Sequence, residues 1–307
     1  GSKPKEYTSP LEKGDHPEVD TSEDLDDNGI KIYQSMIGSL QWAVSIGRFD
    51  VHTATMTMSR FRMAPRKEHL ERLKRMYGYL KKFRSAAIRV QTDEPDLSGI
   101  PAQDYDWCET VYGNVAEEIP KDYPKPLGKQ VTTVTYVDAN LQHDLLTGLS
   151  VTGVLHFCNQ TLIDWYSKRQ ACVQTATFGS EFVAARIAVD HIMDLRNTLR
   201  YLGVPINTMS YMFGDNQAVV MNSTIPLLCL SKRHNALSYH RVREAIAAKV
   251  LTFFWINGKK NPAGSVSKQW AYAQVWHILQ PILFYSGDTA SLLDQGDGKE
   301  QQEDSKN

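Results

Sequence analysis

Cysteine is scarce in this 307-residue chain, and the four present (Cys108, Cys158, Cys172, Cys229) form no Cys-x-x-Cys pair. That argues against a zinc site and a disulfide framework, and it suits a reducing compartment. Neither sign of charge is in excess. A formal net charge of −1 removes any bulk attraction to nucleic acid or membrane, so a basic surface has to be local. No apolar run approaches the ~20 residues of a membrane span, and no secretory signal is visible. Internal repeats and a nucleotide-cradling glycine loop are also missing. The chain opens Gly-Ser rather than Met, as expected of a piece cut from something longer.

What is present suffices for two domains, since a hydrophobic share of 42% over this length can fill two cores. Residues 1–29 combine prolines and glycines with a dense acidic patch (Glu18, Asp20, Glu23, Asp24, Asp26, Asp27) and read as an extended or disordered linker. Residues 30–91 read as helical. Tyr33, Ile37, Leu40 and Val44 share one helical face, and Val51, Ala54, Met58 and Phe61 share another. A third helix opens at Pro65 and turns Leu70, Leu73, Tyr77 and Leu80 inward. Its other faces are basic, Lys74 and Arg75 among them: either a solvated face or a phosphate-contacting surface. Residues 92–130 lack periodicity and read as a linker.

From Val131 the pattern is that of a mixed five-stranded sheet flanked by helices, spanning 131–270. VTTVTYVD is the first strand. TGVLHFC (152–158) and LIDWYS (162–167) continue it as a meander. A long helix from about 178 to 202 follows, then a fourth strand over 209–213, a helix over about 235–249 and a fifth strand over 251–256. Asn261-Pro262 reads as the cap and first position of another helix. The tail, 271–307, is expected to fray after about 288.

Three acids stand out by position. Asp138 closes the first strand, Glu181 lies in the first turn of the long helix, and Asp215 follows the fourth strand. If the first and fourth strands are parallel neighbours, all three meet at one edge of the sheet. Crowded carboxylates repel, and oxygen-only ligands favour a hard cation, Mg²⁺ or Mn²⁺. Two such ions can clamp an in-line attack on a phosphodiester. Each acid also has a plainer role open to it: Glu181 can complement the helix dipole, and Asp215 can shape a turn or cap the next helix. Asp144 and Asp164 read as ordinary loop or surface charges.

YVDAN (136–140), IDWYSKRQ (163–170), TFGSEFVAAR (177–186), FGDNQAV (213–219) and KRHNALSYHRVRE (232–244) together resemble the ribonuclease H domain of copia-type (Pseudoviridae) retrotransposon Pol polyproteins. YQSMIGSLQWAVSIGRFDV (33–51) and MSRFRMAPRKEHLERLKRMYGYLKKF (58–83) resemble the connection segment joining reverse transcriptase to that domain. The resemblance implies a ribonuclease H-like α/β fold behind a small helical connection. It also implies metal-dependent cutting of the RNA strand of an RNA–DNA hybrid, with Asp138, Glu181 and Asp215 as catalytic metal ligands. Two Mg²⁺ or Mn²⁺ ions are implied as cofactors. The implied partners are the hybrid and the palm and fingers of the same polyprotein. A setting in the cytoplasm, a virus-like particle or the nucleus of a eukaryotic host is implied too.

One departure weakens the case for the second ion. The family's last helix opens Asn-Pro-Ala-Asp, whereas here the run is Asn261-Pro262-Ala263-Gly264, so the fourth acid is missing. An impaired remnant that only binds nucleic acid, or serves structurally, is therefore the alternative reading. No Tyr-X-Asp-Asp polymerase turn is present either. A hybrid duplex is read through its phosphates and 2′-hydroxyls. Candidates to touch it are Lys168, Arg169, Gln170, Thr175 and Thr177 beside the predicted metals, with Lys232, Arg233 and His234 as a second basic patch.

Overall fold

The computed structural model describes residues 5–103, 105–230, 233–285 and 287–288. The chain divides into two compact units, one formed by residues 1–89 with 269–307 and the other by 90–268.

In the first unit, α1 (Asp27–Ser45) starts at Asp26, whose carboxylate accepts from the Gly29 amide at 2.7 Å. Its apolar stripe buries Tyr33, Ile37, Leu40 and Val44, as the spacing predicts. α2 (His52–Ser59) buries Ala54 and Met58. α3 (Lys67–Lys82) departs from expectation, for it buries His69, Leu73, Met76, Gly78 and Tyr79 rather than a single Leu70–Leu80 stripe. The reason is a second layer. The acidic segment expected to be disordered lies along α3 and pairs with its basic face. Arg72 meets Asp15 at 2.9 Å and Asp20 at 2.7 Å, Arg75 meets Glu12 at 2.8 Å, and Lys67 meets Glu23. Arg75 also stacks over Tyr7 at 4.5 Å, and Lys74 pairs with Glu71 at 2.6 Å. The phosphate-contacting surface expected at Lys74 and Arg75 is thus already engaged by acids of this chain.

Gly78 shows how close the segment runs, because a Cβ there would sit 2.3 Å from the Lys5 carbonyl. In an open helix, Gly→Ala stabilises by about 1 kcal/mol. Here Gly78→Ala is expected instead to lift the segment, read as faster proteolysis within residues 5–26 with α3 helicity unchanged. Resistance equal to wild type would refute the contact.

The residues from 271, expected to be a tail that frays after about 288, join the first unit from Gln269 onward. The helix Tyr272–Leu279 leads to Leu283 and Phe284, both buried, and Phe284 stacks on Phe83 with centroids 4.9 Å apart. The fraying expected after 288 lies outside the described residues.

The second unit is built on the expected sheet: β1 (Thr133–Asn140), β2 (Val151–Cys158), β3 (Thr161–Arg169), β4 (Ser210–Gly214) and β5 (Leu251–Trp255). The order is β3-β2-β1-β4-β5, with β1–β2 and β2–β3 antiparallel and β1–β4 and β4–β5 parallel. Among the described residues it is flanked by α4 (Thr177–Tyr201), α5 (Gln217–Thr224) and α6 (Ala236–Ala247). Phe182, Ala185, Ala188, Val189 and Ile192 of α4 pack on Val137, Ala139 and Val154 of the sheet. Residues 92–130, expected to be a linker, belong to this unit, which starts at Val90. Within them Glu117 receives Arg196 at 2.8 Å and Arg200 at 2.7 Å, the two guanidiniums overcoming burial to hold its carboxyl down at about 2. Arg243 of α6 is buried and donates to the carbonyls of Asn222, Ile225 and Pro226.

Candidate metal centre

Parallel pairing puts Val137 opposite Gly214, so the residue after each, Asp138 and Asp215, emerges at the same sheet edge. β1 continues to Asn140, so Asp138 sits inside the strand rather than at its end. α4 begins at Thr177, which places Glu181 in the second turn, away from the first-turn amides that its dipole-complementing role required. The cap of α5 is Asn216, accepting from the Val219 amide at 3.1 Å, so Asp215 is free of that duty. Ligand oxygens of Asp138, Glu181 and Asp215 all lie within 4.8 Å of one another.

The cluster is buried, with Asp138 at 0% and Glu181 at 5% exposure. Burial, then repulsion from Asp138 and Asp215, pushes the Glu181 carboxyl well above the usual carboxylate range. Burial, then Asp138, pushes Asp215 up to about 6. Such groups bind protons for want of a better cation.

The run after β5 supplies a partial substitute. Asn261 caps the short 3₁₀ helix Pro262–Val266 by accepting from the Ala263 amide, as expected, and its amide group donates to the Val137 carbonyl at 2.9 Å. The turn lies tight on β2, where a Cβ on Gly153 would come 2.8 Å from the Ala263 carbonyl and 2.9 Å from Ser267. Gly153 pairs with Asp138 across the ladder, so this approach delivers Ser267 and Lys268 to the carboxylates. The Ser267 hydroxyl donates to Asp138, and the Lys268 ammonium meets its other oxygen at 2.8 Å. Burial pulls the Lys268 amine down, but Asp138, Asp215 and Glu181 outweigh it and leave it above its ordinary value. Neither residue was singled out from the sequence. The signal was their place three and four positions after Gly264, one turn beyond the lost acid.

Gly264 itself carries no side chain, and a Cβ there would meet nothing within 4 Å. Its carbonyl lies 3.4 Å from the Ser267 hydroxyl that also serves Asp138.

The remaining candidates divide. Lys168, Thr175, Thr177, Arg233 and His234 are exposed. Gln170 is buried and donates to Thr152 at 3.0 Å and the Ser180 carbonyl at 2.9 Å, which makes it a brace for the start of α4 rather than a surface group. Arg169 pairs at 2.9 Å with Asp144. Asp144 is fully buried and caps its own loop through the Leu146 and Thr147 amides, so it is no surface charge. Lys232 lies outside the described residues.

A pH dependence follows for the domain without divalent ions. An acid whose folded pKa is raised contributes stability that is present below its unfolded pKa, about 4. That contribution is lost as pH rises through the folded value, about 6 for Asp215 and higher for Glu181. The melting temperature in a chelator is therefore expected to fall from mildly acidic to neutral pH, and Mn²⁺ should restore it at neutral pH. Lys268, which faces the same groups, reduces the fall without cancelling it, whereas the Asp138 carboxylate deepens it. A melting temperature that holds or rises over that interval would exclude carboxylate crowding as described.

A mixed sheet in this order, with an Asp–Glu–Asp cluster where its first and fourth strands meet, defines a ribonuclease H-like domain. The chain is similar in sequence to the retrovirus-related Pol polyproteins of transposons. It is 26% identical over 237 residues to that of transposon TNT 1-94 from Nicotiana tabacum, covering 77% of this chain and 15% of that polyprotein. It is 22% identical over 236 residues to that of transposon RE1 from Arabidopsis thaliana, covering 77% of this chain and 14% of that one. The chain thus spans about a seventh of the length of these curated relatives. No family model matches it. Among solved structures it is similar to RNase H1 from the halophilic archaeon Halobacterium salinarum NRC-1, at 12% identity and a TM-score of 0.35, covering 46% of this chain and 95% of that one. It is also similar to LC11-RNase H1 in complex with an RNA/DNA hybrid, at 13% identity and a TM-score of 0.34, covering 44% and 93%. The fold is read from strand order and direction, not from these overlaps.

Proposed function

We propose that this chain is the connection and ribonuclease H portion of a copia-type retrotransposon Pol polyprotein, and that it hydrolyses the RNA strand of RNA–DNA hybrids. The observation that carries the reading is the buried Asp138–Glu181–Asp215 cluster, whose mutual repulsion makes it a receptor for cations. The donor set fits a hard divalent ion, being all oxygen and already drawing in the Lys268 ammonium. When bound, Mg²⁺ or Mn²⁺ supplies the charge that polarises water and the phosphoryl oxygen. Asp138, Glu181 and Asp215 hold it, Ser267 orients Asp138, and Asn261 ties the 262–268 turn to β1. Lys168, Thr175, Thr177, Arg233 and His234, all exposed, are the groups we assign to the phosphates and 2′-hydroxyls of the hybrid. Arg169 and Gln170 support them from within.

A second reading has its own observation. Gly264 supplies no fourth carboxylate, and Lys268 stands against Asp138, which describes a domain that binds hybrid but cuts it poorly. The deciding experiment is cleavage of a labelled hybrid by the full chain in Mg²⁺ and in Mn²⁺, beside Gly264→Asp and Asp138→Asn, with each shown to be folded. Cutting by wild type that vanishes in Asp138→Asn establishes the enzyme. Cutting by Gly264→Asp alone establishes the impaired domain. Silence from all three ends the catalytic reading. Hybrid binding that does not weaken with salt would end the nucleic-acid role as well.

A further inference from the structure

His156 on β2, Asp164 on β3 and His191 on α4 lie apart in sequence, and each offers a ligand atom within 4.8 Å of the others. His156 and Asp164 are direct cross-strand partners, and α4 lays His191 over them with the two imidazole centroids 5.8 Å apart. Tyr166 sets the His191 ring edge-on at 4.7 Å.

His156 is the telling member. It is fully buried, its Nδ1 meets the Thr135 hydroxyl at 2.8 Å, and its Nε2 has no partner. A buried imidazole nitrogen left bare has lost its water without gaining a partner, a cost that a ligand at that nitrogen relieves. With the proton on Nδ1 donated to Thr135, Nε2 presents a lone pair. That is how a ligating histidine is oriented by its other nitrogen. Burial, reinforced by His191, keeps this ring neutral, and neutral imidazole is the form that ligates.

We propose that His156, Asp164 and His191 form a second cation site, for a borderline transition ion of the Zn²⁺ class. Two imidazoles and one carboxylate are a donor set for such ions, whereas the Asp138 cluster offers only oxygen and suits Mg²⁺ or Mn²⁺. The strand members of the two sites, Asp138 and His156, point to opposite faces of the sheet, while Glu181 and His191 both lie on α4. Asp138 pairs with Gly153 against the 262–267 turn, while Val154 and His156, of the other parity, face α4. Along β2 the separation from Gly153 to His156 is about 10 Å. Asp164 is exposed and His191 half-buried, which leaves water an approach to a remaining coordination position. The 4.8 Å that encloses the three ligand atoms compares with the ~3.3 Å between ligands of a tetrahedral zinc shell with 2.0–2.1 Å bonds. Since α4 also carries Glu181, the ion clamps the helix that completes the other site.

The test is titration of the chelator-stripped full chain with Co²⁺ and Zn²⁺, followed by visible d–d absorption, calorimetry and melting temperature. The expected result is one tightly bound ion with a low-symmetry cobalt spectrum and a raised melting temperature, unchanged in Asp138→Asn. His191→Gln and Asp164→Asn change partly or wholly exposed side chains, and each should weaken binding about tenfold or more while melting like wild type in chelator. Binding that survives both variants unchanged, or that is lost in Asp138→Asn, would overturn the proposal. Absence of any Co²⁺ or Zn²⁺ binding by wild type would do so too.

Discussion

Asp138→Asn is expected to lower hybrid cleavage below detection, at least about 100-fold, while leaving the domain folded. The magnitude follows from its role, since losing even an outer-shell partner of a metal ligand costs about 10–100-fold. Asp138 is also the member that both Ser267 and Lys268 contact, and the one placed first among the charges that raise Asp215. Asparagine keeps the volume and one oxygen, so the ladder to Gly153 and the 262–268 turn have no steric reason to move. Without metal the substitution removes one of three crowded carboxylates. Asp215 and Glu181 then fall back toward ordinary values, and stability at neutral pH should hold or rise. Activity and apo stability therefore move in opposite directions, which a merely structural aspartate would not produce. Calorimetry with Mn²⁺ and a chelator-baseline melt check both halves. A variant that loses activity and melts lower would show Asp138 to be a packing residue.

Much of the second unit was legible because its signals are local. β-branched runs mark the strands, and apolar spacing marks α4. The order of Asp138, Glu181 and Asp215 along the chain suffices once the β1–β4 pairing is parallel. What escaped the sequence depends on contacts distant in the chain. Acidic residues 12–24 look unstructured alone, and only the basic face of α3 gives them a partner. Arg196 and Arg243 look like surface cations until Glu117 and the carbonyls after α5 are brought against them. Gln170 and Asp144 sit in polar stretches but fold inward, each satisfying backbone groups that would otherwise be bare. The His156–Asp164–His191 group was hidden for the same reason: scarce cysteine argued against zinc, yet a cross-strand pair and a helix assemble donors without thiolates.

Gly264→Asp is expected to raise cleavage about tenfold or more, a gain that needs only ~1.4 kcal/mol of added transition-state stabilisation. Three features of the site support a gain rather than a disruption. A side chain at 264 meets open space, with nothing within 4 Å of its Cβ. The position is the third residue of the Asn261-capped turn, where an acid suits the free amides of a helix start. Its carbonyl is already linked through the Ser267 hydroxyl to Asp138, so position 264 lies beside the cluster. Charge gives the sharper argument. Asp138, Glu181 and Asp215 with Lys268 carry two net negative charges, enough to balance one divalent ion. A fourth carboxylate adds the charge that draws in a second. Mn²⁺ stoichiometry should accordingly move from one ion toward two, and without metal the melting temperature at neutral pH should fall below wild type. If Gly264→Asp binds no further ion and cuts no faster, the fourth ligand is not what limits this site. The Lys268–Asp138 pair would then be the next contact to break.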